Sequence, residues 1–245
     1  MISSLSGIWV FLAKSPLLWL TLTLLVYLAA VWLYRRSGAS PFLIPVLTAV
    51  SSLIGILMLS GTPYPTYFEG AKFIHFLIGP ATVALAIPLY GQLERLKQIW
   101  LPVGVALLAG SVAAILSATL IAWALGGSLE TLMSLAPKSA TMPIAMAVAE
   151  RLGGLPSLAA AAVAVTGITG TIMARPLLNA LRIDDPAVRG FAVGITAHAI
   201  GTARALQVHE TAGAFAALAM GLNGIATALL MPLVVGLLKM MGVVP

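Results

Sequence analysis

The chain has 245 residues, of which 60% are hydrophobic and only 8% are charged. Soluble domains carry about a quarter of charged residues, so this chain cannot build the polar shell that a soluble protein needs. It contains no cysteine, which excludes disulfides and thiolate metal sites, and its net charge of +6 comes from scattered basic residues, not from a nucleic-acid-binding stripe. Composition therefore predicts an all-α polytopic membrane protein that does not bind nucleic acid, metal or a cofactor.

The N-terminal part predicts membrane insertion without cleavage. Residues Ile2–Ala13 form a short apolar piece that we expect to lie in the membrane interface. The next run, Ser15–Tyr34, is long enough to span and ends in Arg35-Arg36, not at a small-residue cleavage site. We interpret it as a retained transmembrane helix.

Uncharged runs continue along the whole chain, and a bilayer needs about 20 apolar residues per helix. They predict about eight membrane segments in a single domain, 1–245, placed in the cell inner membrane. Two runs, Ser139–Ala149 and Gly190–Ala203, are too short to span alone. The complete set is Ser15–Tyr34, Ser37–Phe68, Phe73–Leu93, Gln98–Leu129, Ser139–Ala149, Leu152–Ala174, Gly190–Ala203 and Thr211–Leu238.

The basic residues predict the topology, because cytoplasmic loops are enriched in Lys and Arg. If Arg35 is cytoplasmic, two membrane crossings place Arg95 on the cytoplasmic side as well. The basic stretch Arg182–Arg189 is then cytoplasmic only if residues 129–151 begin and end on the same side of the membrane. A re-entrant hairpin or a pair of half-helices would do this. The alternative is one ordinary helix that violates the charge rule.

Two helices are then predicted to be interrupted and oppositely oriented. One carries Gly79-Pro80, and the other carries the polar stretch Thr196–Arg204 as it crosses the membrane from inside to outside. Interrupted helices in opposite orientation are typical of inverted-repeat secondary transporters.

The first candidate site segment contains Gly79, Pro80 and Thr82. Pro80 lacks a backbone N–H, and an unpaired backbone group in lipid is expensive unless it lines a cavity. The alternative interpretation is a simple proline kink packed by neighbouring helices.

The second candidate segment contains Lys138, Ser139 and Thr141. A lysine in mid-membrane costs about 2.5–3.5 kcal/mol, and Pro137 could begin a half-helix whose N-terminus would bind an anion. The alternative is a lysine that extends to the interface from a short loop.

The third candidate segment contains His198, Thr202 and Arg204, and Asn223 adds one polar group in the last helix. His198 and Thr202 are four residues apart and share a helix face, and Arg204 could bind a carboxylate bidentately. The alternative places Arg204 at the membrane edge, paired with Glu210.

At Glu69 and Lys72, three residues apart, the default is a helix-end ion pair.

The acidic residues all lie at the ends of apolar runs, whereas the candidate site segments carry lysine, arginine, histidine and hydroxyl groups. A cation pathway usually needs acidic or carbonyl rings, so these groups favour a small organic anion such as a carboxylate. We find no convincing nucleophile–base pair or metal-ligand set, so an enzyme is not expected.

These segments resemble the LrgB/CidB family of membrane proteins. The resemblance covers nearly the whole chain and is carried by residues 70–90, 135–146, 153–157, 197–206 and 213–232. It implies either of two functions. One is a carrier of small monocarboxylates of the glycolate, glycerate, lactate or pyruvate class, since plastid glycolate/glycerate transporters look related. The other is a holin/antiholin-like regulator of murein hydrolase export and autolysis, with a small LrgA-like membrane partner.

Between these functions, the residues themselves favour the carrier. A holin does not need broken helices and a lysine–hydroxyl cluster in mid-membrane, whereas a substrate site does. We also expect a homo-oligomer. The identity of the acid, the coupling ion and the need for a partner stay open at this level.

Overall fold

The computed structural model describes residues 15–240 and 242, so the predicted interfacial piece Ile2–Ala13 lies outside the described residues. Within 15–240 every regular element is a helix. Besides a short 3-10 turn at Pro41–Leu43, these are α1 (Pro16–Arg36), α2 (Pro45–Ser60), α3 (Tyr64–Phe76), α4 (Ile78–Ala84), α5 (Ala86–Tyr90), α6 (Leu93–Gln98), α7 (Trp100–Ala124), α8 (Leu129–Leu135), α9 (Met142–Arg151), α10 (Pro156–Ala180), α11 (Pro186–Val208) and α12 (Glu210–Met240).

Among the residues that the structure describes, five helical stretches are long and apolar enough to cross a bilayer. They are Pro16–Arg36, Tyr64–Tyr90, Trp100–Ala124, Pro156–Ala180 and Glu210–Leu237. The prediction of an all-α polytopic membrane protein is confirmed, while the count of eight segments stays a prediction. The chain groups into two compact units, residues 1–84 and 85–245, which are described in turn.

In the first unit, α1 packs against α2 and α3. Trp19 of α1 is fully buried and meets Tyr67 of α3 edge to face, with ring centroids 5.9 Å apart. Gly70 allows this contact, because a Cβ there would lie 2.3 Å from the carbonyl oxygen of Pro16. The expected ion pair between Glu69 and Lys72 is also confirmed.

The Gly79-Pro80 segment is a mild interruption of an otherwise helical path. α3 ends at Phe76, whose carbonyl would normally accept a hydrogen bond from residue 80, and Pro80 has no N–H to donate. Leu77, where α3 gives way to α4, keeps a right-handed helical backbone (φ −69°, ψ −11°). The backbone is therefore closer to the proline-kink alternative than to an unwound segment.

In the second unit, residues 129–151 fold back on themselves. α8 and α9 are two short helices joined by residues 136–141, which are not helical. The N–H of Leu155, just after α9, donates to the hydroxyl of Ser134 on α8 at 2.7 Å. The predicted pair of half-helices is thereby confirmed, and we call residues 129–151 the first hairpin and residues 136–141 its tip.

One detail of the first hairpin differs from the prediction. Pro137 was expected to begin a half-helix, but α9 begins at Met142, with Pro143 in its first turn. Proline is well placed there because the first-turn N–H groups of a helix have no internal partner. Pro137 is instead buried within the tip.

A second fold-back occurs within α11. His198 has φ 40° and ψ −131°, which divides α11 into an arm 186–197 and an arm 199–208. A Cβ on Gly201 would lie 2.6 Å from the Val193 side chain and 3.3 Å from the Val193 carbonyl oxygen. In a straight helix, residues eight apart are separated by about 12 Å along the axis. We call residues 186–208 the second hairpin and His198 its tip.

The stretch Thr196–Arg204 was predicted to lie in a helix that crosses the membrane, but it contains the reversal at His198 instead. The first arm runs parallel to α12, since Cβ atoms at Gly190 and Gly194 would clash with the carbonyl oxygens of Ala212 and Ala216. The second arm runs in the opposite direction, and the extended backbone of His209 connects it to α12. Because α11 reverses direction once, near its centre, its first and last residues lie at the same end of the second hairpin.

The fold-back predicts a specific disulfide. Because the chain has no native cysteine, a Val193→Cys, Gly201→Cys double variant should form an intramolecular disulfide upon mild oxidation, which requires Cβ atoms about 3.5–4.5 Å apart. The measurement is protection of both thiols from a maleimide-polyethylene glycol reagent. The control pair Gly104→Cys, Val112→Cys has the same spacing in the straight helix α7 and should stay reactive. Equal reactivity of the two pairs would show that α11 is straight.

Candidate functional site at the hairpin tips

The side chain of Asn223 on α12 joins both hairpins. Its Nδ2 donates to the carbonyl oxygen of Ser139 at 2.8 Å and to that of Ile195 at 3.2 Å. Its Oδ1 accepts a hydrogen bond from the hydroxyl of Ser111 on α7 at 2.7 Å. Asn223 is 1% exposed, so one buried amide connects α7, the first hairpin, the second hairpin and α12.

The two carbonyl groups that Asn223 binds both lie next to breaks in the helical backbone. Ser139 is in the tip of the first hairpin, and Ile195 is in the turn before His198. Carbonyl groups at the end of a helical run have no partner within the helix and need another donor, particularly in an apolar surrounding. The Asn223 amide supplies that donor to both breaks.

His198 holds the tip of the second hairpin against α10. Its Nε2 lies 2.9 Å from the carbonyl oxygen of Val163. Because a carbonyl oxygen only accepts, Nε2 carries the hydrogen, which leaves Nδ1 as the nitrogen able to take up a proton. Gly167 makes room for the ring, since a Cβ there would lie 2.6 Å from the imidazole Cε1.

The backbone at His198 is strained. A positive φ in a residue other than glycine costs about 1–3 kcal/mol and persists only where surrounding contacts compensate for it. Here the imidazole hydrogen bond to Val163 and the Thr202 hydroxyl, which donates to the His198 carbonyl oxygen at 2.7 Å, both stabilise the turn.

The tip of the first hairpin reaches the same place. Ala140 in that tip packs with Val163, whose carbonyl oxygen binds His198. The two tips therefore meet on one face of α10, in the second unit.

Lys138 brings a cation to this junction. It is half-buried, and its Nζ lies 3.4 Å from the Ser139 hydroxyl. Thr141 occupies the N-cap position of α9, where its hydroxyl makes no cap hydrogen bond. A cation, two hydroxyl groups and an imidazole together are suited to binding a carboxylate and a proton.

The structure thus brings together five of the residues singled out from the sequence, namely Lys138, Ser139, His198, Thr202 and Asn223, with Thr141 where α9 begins. Gly79, Pro80 and Thr82 belong to the first unit, so their part in the same site stays a prediction. Arg204, two residues beyond Thr202, lines a separate cavity of about 480 Å³ together with Arg175 and Arg189.

Three residues that help to form the junction were not identified from the sequence. Ser111 was a visible signal, because it is a hydroxyl in the middle of an apolar helix, and it proves to hold Asn223. Val163 and Gly167 gave no signal, because one contributes only its carbonyl group and the other only the space left by a missing side chain.

The open end of the second hairpin is anchored by charge. Asp185 caps α11 by accepting hydrogen bonds from the N–H groups of Ala187 and Val188, and it also pairs with Arg95. Burial acts to raise the pKa of the Asp185 carboxyl, but the two amides and the Arg95 guanidinium hold that pKa below its usual range. Asp185 therefore stays ionised at neutral pH.

Comparison with known proteins identifies relatives over most of the chain. Residues 23–237 match the model of the LrgB-like family. Two similar proteins are the uncharacterized protein YxaC of Bacillus subtilis, 38% identical over 88% of this chain and 94% of its own length, and an uncharacterized protein of Haemophilus influenzae, 36% identical over 87% and 92%. The antiholin-like protein LrgB of Bacillus cereus is 28% identical over 89% of this chain and 95% of its own length. No solved structure matches.

Replacement of Asn223 should destabilise the fold. An Asn223→Ala variant leaves two carbonyl groups and the Ser111 hydroxyl without their partner, at about 1–3 kcal/mol for a buried unsatisfied group and somewhat less in a membrane. We expect the midpoint of thermal denaturation in detergent to fall by roughly 5 °C or more. Ser117→Ala is the control, because that exposed hydroxyl only donates to the Ala114 carbonyl in its own helix. Equal midpoints for the two variants would contradict the bridging role.

Proposed function

The chain belongs to the LrgB-like family, and we propose that it is a secondary carrier of small monocarboxylates across the bacterial inner membrane. The substrates would be of the glycolate, glycerate, lactate or pyruvate class. The observation that carries the proposal is the junction of two broken helical hairpins with Lys138 beside it. Interrupted helices and an intramembrane cation are expensive in a bilayer and mark substrate sites in transporters.

Several features support an inverted repeat that contains the two hairpins. Ser128 and Asp185 are the N-caps of the first and second hairpins, and each accepts a hydrogen bond from an amide of its first helical turn. Thr141 and His198, where the two breaks lie, each follow thirteen residues after these caps.

The helices that precede the hairpins also correspond. α7 and α10 have 25 residues each. Because α10 is about 37 Å long, it would carry the chain from one membrane face to the other between the hairpins. In the proposed arrangement the hairpins enter from opposite faces. Together with the five long apolar stretches and the shorter apolar helix Pro45–Ser60, they make the expected eight segments.

Transport would follow from separating one hairpin tip at a time. The carboxylate would bind Lys138, with the hydroxyl groups of Ser139 and Thr141 as further donors. His198 Nδ1 would take up a proton when the substrate moves with one. A single amide–carbonyl hydrogen bond connects Asn223 to each tip, and breaking either of these bonds costs about 1 kcal/mol. A contribution of Gly79, Pro80 and Thr82 to the pathway stays a prediction from the sequence.

Removal of the Lys138 ammonium group should abolish uptake without unfolding the protein. In proteoliposomes, Lys138→Ala should reduce the initial rate of uptake of radiolabelled lactate or glycolate at least tenfold, because the carboxylate loses its cation. Lys97→Ala is the matched control, since Lys97 is exposed and paired with Glu94. Lys138→Arg keeps the charge and should retain measurable uptake.

The result that would overturn the proposal is unchanged uptake by Lys138→Ala with an unaltered denaturation midpoint. Failure of the wild-type protein to transport any of the four acids would equally overturn it and would favour the second candidate.

That second candidate is a regulator of murein hydrolase export and autolysis that acts with a small LrgA-type membrane partner or as a homo-oligomer. It is favoured by the antiholin-like name of the Bacillus cereus relatives, which match 89% of this chain. A regulator of this kind predicts altered autolysis in cells without saturable, substrate-specific flux in liposomes.

A further inference from the structure

We propose that the open end of the second hairpin binds a phosphate monoester in a cavity lined by Arg175, Arg189 and Arg204. The cavity has a volume of about 480 Å³ and lies between α10, both arms of the second hairpin and the start of α12. Lys138, Ser139 and Asn223 do not line it, so it is distinct from the junction of the tips.

The fold-back at His198 creates this cluster of arginines. Arg189 lies in the first turn of α11 and Arg204 in its last turns, which would place them about 22 Å apart on a straight helix. The reversal brings both to the same cavity, where Arg175 joins them from the C-terminal part of α10.

The charge of the cavity suits a dianion. It holds three guanidinium groups and one carboxylate, Asp184, which leaves an excess of about two positive charges with His209 neutral. A phosphate monoester carries about −1.5 to −2 charges at pH 7.

The geometry of the cluster also favours phosphate over a monocarboxylate. Arg189 Nη1 donates to the Asn179 side-chain oxygen and to the Ile183 carbonyl oxygen, both at 2.9 Å, which fixes the direction of its planar group. A guanidinium group held in this way can bind two phosphate oxygens side by side. A three-carbon monocarboxylate would also fill only a small part of about 480 Å³.

The same phosphate monoester group occurs on soluble metabolites and on the headgroup of phosphatidic acid, and the experiment has one arm for each. In the first, glycerol 3-phosphate is titrated by calorimetry into the full-length protein, delipidated in neutral detergent, with glycerol and lactate as control ligands. In the second, the protein is titrated with nanodiscs that contain phosphatidic acid or only phosphatidylcholine. Saturable binding of glycerol 3-phosphate assigns a soluble ligand, and binding to phosphatidic acid alone assigns the lipid.

Arginine variants then test the site itself. Arg175→Gln should weaken binding at least tenfold in whichever arm is positive, and Arg189→Lys, which keeps the charge but loses the planar fork, should weaken it too. Arg182→Gln is the control, because Arg182 is exposed in the same connection and does not line the cavity. Lys138→Ala should bind normally even if it fails to transport, which separates this inference from the proposed function. Absence of binding in both arms, or equal losses in Arg175→Gln and Arg182→Gln, would overturn it.

Discussion

The hydrogen bonds of the Asn223 amide are the interaction on which the second unit depends. An apolar protein in a bilayer must satisfy every backbone polar group internally, and this chain interrupts its helices at two places that meet. The amide has two donors for the Ser139 and Ile195 carbonyl groups and one acceptor for the Ser111 hydroxyl. Both donors and the acceptor of the amide are used, so carbonyl groups at both breaks have a hydrogen-bond partner and the junction is stable.

Close backbone packing determines which parts of this junction can move together. The first arm of the second hairpin lies on α12 through Gly190 and Gly194, positions at which any side chain would meet backbone atoms. That arm and α12 therefore behave as one body. The first hairpin is joined to α12 through the Asn223 amide at its tip and through a hydrophobic cluster in which Leu132, Met133 and Ala136 pack with Met231 and Val234.

The first hairpin was predictable and the second was not, for identifiable reasons. Around residues 129–151 the sequence carries Pro137, Pro143 and a short apolar run, and the placement of basic residues required a return to the same side. Around residue 198 no proline marks the break, and the positive φ falls on a residue other than glycine, which is uncommon. Contacts of the His198 ring with Gly167 and Val163 stabilise this backbone conformation. Because those residues are distant in sequence, they leave no local pattern around residue 198.

By itself, the sequence determined that the protein is helical and membrane-embedded, and it identified the polar residues that interrupt apolar helices, because hydropathy and proline chemistry act locally. It also identified Asn223 without indicating its role. Only the tertiary structure decided that residues 186–208 fold back, that the tips carrying Lys138 and His198 meet while Arg204 lines another cavity, and that one amide links both hairpins. Those outcomes depend on which carbonyl groups come within hydrogen-bonding distance of which donors, and that is set by packing between residues far apart in the chain.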